Sequence, residues 1–189
     1  RESNKLIKNT IIKSKIKIKK MFNERDNIQG AKTLYGLTKL SSEMFIEEFS
    51  YAFGLKYIIN RCGVISGYGQ FGRQDQGFLS MWLWKHINKL PITYQGFGGY
   101  GNQIRDVLDI YDLCGLIKEQ IININKINNI IFNVGGGIKN AISLKELTNY
   151  SNIITSTKIN IKKQLKTSNY DLRYYVTDNK KIYSKYKWR

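Results

Sequence analysis

Histidine occurs once, at His86, and cysteine only twice, at Cys62 and Cys114, in a chain of 189 residues. Two thiols so far apart make neither a disulfide framework nor the paired spacing of a zinc site, so redox and zinc chemistry fall away. The reading is two free, buried thiols in a reducing compartment. No uncharged apolar run approaches the roughly 20 residues of a membrane helix, and no secretory signal pattern is present, so the expectation is a cytoplasmic protein with no membrane partner. Acidic residues are scarce, 14 against 31 lysines and arginines, for a formal charge of +17. What remains, 42% hydrophobic and 13% aromatic in 22.0 kDa, suffices to bury a core. A disordered tail and a disulfide miniprotein are both excluded, and one or two domains are expected.

A charge of +17 invites phosphate binding. However, 24 of the 31 basic residues are lysine, and lysine, isoleucine and asparagine together make 70 of the 189 positions. All three have A/T-rich codons, so base composition accounts for the excess, and no recognition motif supports a nucleic-acid partner. The chain starts at Arg1 and stops at Lys187-Trp188-Arg189; the expectation is an internal piece of a longer protein.

Residues 5–20 alternate lysine and isoleucine as a solvated edge strand or a ragged terminus would. From Leu34, the positions Leu37, Leu40, Met44 and Phe45 recur at helical spacing, and Gly54 supplies a stop. Lys56 to Ile65 is a β-branched run suited to a fully buried parallel strand. A helix from Phe78 to before Pro91, a strand over Ile92–Gln95, a glycine-rich turn over 96–101 and a strand over Ile104–Ile110 follow. Next come a helix over Tyr111–Ile122, a strand over Asn129–Val134 and a helix opened by the capping box Ser143/Glu146. Residues 152–169 read as a lysine-rich loop, and Asp178 as the cap of a final short helix. Strands alternating with helices imply an α/β fold with a parallel, Rossmann-like sheet.

Tyr35 and Lys39 stand one helical turn apart and project from one face. Tyr183 and Lys187 share that spacing, so the surroundings must decide. Those surroundings are Leu34-Tyr35-Gly36-Leu37-Thr38-Lys39-Leu40-Ser41-Ser42-Glu43, followed by Asn60-Arg61-Cys62-Gly63-Val64, Asp75-Gln76-Gly77-Phe78, Gln103-Ile104-Arg105-Asp106-Val107 and Phe132-Asn133-Val134-Gly135-Gly136-Gly137. In this order they resemble the extended short-chain dehydrogenase/reductases that act on nucleotide sugars, from about residue 21 to the end, and look most like the CDP-paratose (CDP-tyvelose) 2-epimerase branch.

The resemblance implies an NAD-dependent nucleotide-sugar epimerase working by transient oxidation and re-reduction of a sugar carbon, with a CDP-sugar favoured and a homodimer expected for the parent. It implies Tyr35 and Lys39 as the catalytic pair, also contacting the cofactor, and Cys62, Gly63 and Val64 at the nicotinamide. It places Gln76, Tyr94, Arg105 and Arg173 at the substrate, the arginines on its diphosphate. The chemistry suits these residue types. A phenol ionises near pH 10, so a tyrosine base needs a cation beside it, and a guanidinium fork fits two phosphate oxygens. The bland alternatives are an exposed tyrosine and lysine, and an Arg105 paired with Asp106 or Asp109.

Implied segments are residues 1–66 as the remainder of a NAD-binding domain, 67–129 as a substrate region, 130–164 as the last Rossmann strand and helix, and 165–189 as a C-terminal substrate region. Gly67/Gly69/Gly72 and Gly96/Gly98/Gly101 both match Gly-x-Gly-x-x-Gly. The first lacks an acidic residue about 20 positions on and the second leads into a strand, so neither is a pyrophosphate cradle. The family's cradle lies upstream of any residue here, which makes activity of these 189 residues alone doubtful. Rival readings are a 4,6-dehydratase or 4-epimerase of the same family, an inactive truncated relative, and a basic nucleic-acid-binding domain.

Overall fold

A computed structural model describes residues 20–73 and 77–188. The lysine-isoleucine stretch, apart from Lys20, and Gln76 lie outside the described residues.

Helix α1 (Leu34–Phe53) starts where the Thr33 hydroxyl accepts the Gly36 N–H, and ends at Gly54 in the left-handed region (φ 66°). The apolar stripe that predicts it finds no cover among the described residues: none of its side chains is buried, and Leu37, Met44, Phe45, Phe49 and Phe53 all stand exposed. The expected strand over 56–65 is instead two pieces, β1 (Ile58–Cys62) and β2 (Val64–Ser66), divided at Gly63. It is also only half-buried, with Ile59 alone fully covered.

After α2 (Phe78–Ile87) come β3 (Ile92–Gln95), a short turn of 3-10 helix, β4 (Ile104–Asp109), α3 (Ile110–Ile122) and β5 (Ile130–Val134). Asp109 caps α3 by accepting the Tyr111 N–H. The chain continues through β6 (Ala141–Ser143), α4 (Leu144–Thr155), β7 (Ile161–Gln164), β8 (Tyr174–Tyr175) and α5 (Lys180–Tyr183). The capping box forms as expected, Ser143 and Glu146 each satisfying the other's backbone N–H. The expected loop over 152–169 is corrected at its start and in its middle. Helix α4 runs on to Thr155, and β7, whose side chains are all exposed, pairs with β3 through backbone alone. Asn179, not Asp178, occupies the cap position of α5, although Asp178 Oδ1 accepts the Lys180 N–H.

Pairing is parallel for β1–β5, β2–β4, β3–β7 and β4–β8; β4–β6 is antiparallel. The chain changes neighbour at Gly63, from β5 on one side of the break to β4 on the other. Two apolar clusters stabilise this arrangement by removing large side chains from water. One gathers Leu108, Leu113, Leu116, Phe132, Val134 and Ile182 under the sheet. The other packs Trp82, Ile92, Tyr94 and Leu147 between α2, β3 and α4. The free thiols depart from expectation: Cys62 is half-buried and Cys114 exposed, because Leu113 and Leu116 take the buried face of α3. No helix among the described residues is long and apolar enough to cross a membrane.

Candidate active site

Tyr35 and Lys39 lie in the first two turns of α1 and share one exposed side, with Lys39 Nζ 5.3 Å from the centre of the Tyr35 ring. Glu43 follows one turn later, and its carboxylate receives three N–H contacts from Arg61, two at 3.0 Å from Nε and one at 2.6 Å from Nη2. The Glu43 carboxylate in turn raises the Arg61 pKa. Arg61 sits in β1 immediately before Cys62, so this pair ties the tyrosine-bearing side of the helix to the end of the strand. Burial raises the Cys62 thiol pKa, which makes Cys62 a packing residue more than a nucleophile. Strands β1 and β5 end together at Cys62 and Val134, and both run out into glycine, Gly63 and Gly135. The carboxyl end of parallel strands is where an open α/β sheet admits a ligand, although the faces where Gly63 and Gly135 would carry a Cβ are taken by Asp106 and Thr177.

Arg105 points from β4 into a cage of acceptors. Its Nη1 donates to Ile104 O at 2.8 Å, and Nη2 to Asp171 Oδ1 at 2.9 Å and to Leu172 O at 2.6 Å. Its partner is therefore Asp171, and neither Asp106 nor Asp109: the former is buried on the opposite face of the strand and the latter caps α3. Burial lowers the Arg105 pKa, and Asp171 opposes that shift. Arg173 is exposed and adjoins this cage, its carbonyl accepting the Ile104 N–H at 3.0 Å. The fold thus brings Arg105 and the chain around Arg173 together across 68 residues.

Tyr94 is placed elsewhere. It is 6% exposed, stacks on Trp82, and donates its hydroxyl to Thr148 Oγ1 at 2.7 Å. Burial raises its pKa. An apolar groove on α3, lined by Cys114, Ile117, Lys118, Ile121 and Ile122, contains none of the anticipated site residues. Among the described residues no group of three or more histidine, cysteine, aspartate or glutamate side chains is placed to hold a metal ion. Glu43, Arg61, Asp106 and Asp171 escape residue-by-residue reading. Only Glu43 leaves a signal, its place in the helical series 35, 39, 43.

A Rossmann-like α/β fold, with a long helix joined to the end of β1 by the Glu43–Arg61 ion pair, defines the class. The chain belongs to the NAD dependent epimerase/dehydratase family, which residues 16–135 match. It is 32% identical over 165 residues to CDP-paratose 2-epimerase of Salmonella typhi, covering 82% of this chain and 46% of that protein. Among solved structures, an epimerase from Methanothermobacter thermautotrophicus superposes with a TM-score of 0.77 at 18% identity, covering 89% of this chain and 48% of the other. UDP-glucose 4-epimerase of Thermus thermophilus in complex with NAD gives 0.71 at 18% identity, covering 89% and 54%. At such identities these two structures speak for the fold alone. The chain spans about half the length of these relatives.

Proposed function

We propose that the whole protein to which these residues belong is a nucleotide-sugar epimerase that uses NAD and inverts one sugar carbon by transient oxidation, with a CDP-sugar of the paratose type as substrate. The observation carrying this reading is the Tyr35–Lys39 pair on one open side of α1, anchored by Glu43 to the end of β1. Cys62, Gly63 and Val64, at the carboxyl end of β1, stand where an open α/β sheet admits a ligand, and they are the residues we assign to the nicotinamide. When bound, NAD would supply a reversible hydride acceptor.

The chain's own groups would do the rest. Tyr35 would take the proton from a sugar hydroxyl as hydride leaves the carbon and give it back as hydride returns, so that no net redox change results. The Lys39 ammonium stabilises negative charge on the phenol oxygen and holds the cofactor's ribose. Arg105, with Arg173 beside it, binds the diphosphate and keeps the oxidised sugar from leaving midway. Asp171 and two carbonyls use part of the guanidinium's donor set and fix its plane.

The test is Tyr35→Phe in the whole protein. Conversion falls by about 10²–10⁴-fold while affinity for the nucleotide sugar stays; retained turnover overturns the assigned base. Parallel assays with CDP-paratose and UDP-glucose decide the branch, and exclusive turnover of UDP-glucose would replace the 2-epimerase reading with a 4-epimerase.

A further inference from the structure

Asp106 is completely buried and lies next to Arg105 on β4. Successive strand residues point to opposite faces, so Arg105 faces the Asp171 cage while Asp106 faces inward. There its Oδ2 accepts two backbone N–H groups from segments far away in sequence: Gly137 at 2.9 Å, just beyond β5, and Thr177 at 3.1 Å, just beyond β8. Space for the carboxylate exists because of the glycines around it. A Cβ on Gly135 would lie 2.3 Å from Oδ2, and one on Gly63 would lie 3.4 Å from Oδ1. Asn179 adds a second fastening, accepting the Gly135 N–H and donating to the Gly135 carbonyl.

We propose that Asp106 is the positioning residue of the diphosphate clamp, binding the strand that carries Arg105 to the chain that runs through Arg173 and so fixing both guanidinium groups in one geometry. This rests on the reading of Arg105 as a phosphate ligand. The geometry favours a positioning role over simple filling. Strand β8 is only two residues long, paired Ile104 to Tyr174 and Arg105 to Tyr175. A two-residue strand has little pairing of its own, and the Asp106 carboxylate catches the chain two residues later. Oδ1 has no hydrogen-bond partner, and neither does Thr177 Oγ1, so the buried carboxyl group is held by Oδ2 alone. A buried carboxyl group with one oxygen left without a donor is costly unless the placement it enforces is needed.

The test is a double-mutant cycle in the whole protein, read as affinity for UDP and CDP by titration calorimetry. Arg105→Ala weakens binding. Asp106→Ala weakens it by about tenfold or more, as misplacement of a binding group does, whereas Asp106→Asn, which keeps an acceptor for both N–H groups, stays within about threefold. In the Arg105→Ala background, Asp106→Ala costs clearly less affinity than in the wild type, because only Arg173 is left for it to position. An equal loss in both backgrounds, or unchanged affinity in Asp106→Ala, overturns the proposal alone. Unchanged affinity in Arg105→Ala overturns the phosphate site and the proposal with it. If Asp106→Ala does not fold, Asp106→Ser, too short to reach both N–H groups, serves the same cycle.

Discussion

Helix α1 and strand β4 carry the two chemical ends of the proposed site, and they are held in opposite ways. Among the described residues the helix buries none of its side chains and shows a row of exposed apolar residues, and the bidentate ion pair Glu43–Arg61 joins it to β1. The strand has a neighbour on each side, buries Asp106 and Leu108, and is bolted to two distant segments by one carboxylate. The difference shows what each job requires. On the proposed reading Tyr35 has to stay open to a substrate, and the contact that orients its helix, Glu43–Arg61, acts two turns away. On the same reading Arg105 would hold phosphate and gain from a rigid backbone, and rigidity comes from burial and from satisfied donors.

The contrast breaks most severely at Gly136. A Cβ there would lie 2.0 Å from the Val107 carbonyl oxygen, a backbone atom that cannot step aside. Gly136→Ala is expected to cost about 4 kcal/mol or more, seen as a large drop in melting temperature together with loss of nucleotide binding. Wild-type melting of that variant would mean that the β4 junction is plastic, and the contrast with α1 would disappear.

The next effect is smaller and local. Arg61→Ala removes three charged contacts from a partly exposed pair, worth about 1–3 kcal/mol, and leaves the buried junction intact. Hydrogen exchange in α1 should then speed up roughly tenfold with little change at β4. Arg61→Lys should rescue only part of this, because an ammonium cannot fork across both carboxylate oxygens. Equal acceleration in β4 would show that the two regions open as one unit.

How far the sequence reveals this depends on how local each feature is. The ends of α1 are legible because Thr33 and Gly54 act within one turn of themselves, and the Tyr35–Lys39 pair because helical geometry alone brings it together. Arg105 is legible as a phosphate candidate, but Asp171, 66 positions away, is not, since nothing local says which acidic residue the fold will deliver. Asp106 hides for the same reason: its partners are backbone groups of residues 137 and 177, which carry no side-chain signature. Strand β7 escapes because Lys162 and Lys163 are solvated on an edge, so the strand lacks the apolar alternation that burial imprints. Tyr94 is named at the substrate only by the resemblance, and nothing local to it shows that Thr148, 54 residues on, takes its hydroxyl.

The smallest expected effect lies at Ser143, where β6 turns into α4. Its hydroxyl accepts the Glu146 N–H at 3.2 Å and donates to the Glu146 carboxylate at 2.6 Å, closing the capping box. Ser143→Ala leaves an N–H of the first helical turn without its acceptor, which costs about 1 kcal/mol, and Ser143→Asp, which restores an acceptor, should recover most of it in a thermal melt. Because β6 pairs with β4 along Ile104–Asp106, this cap bears on the rigid side of the contrast and not on the helix that holds Tyr35. The stability loss should therefore appear with weakened UDP binding, while exchange in α1 stays unchanged. Faster exchange in α1 after this substitution would show that the two ends of the site share a support which the Glu43–Arg61 pair does not supply.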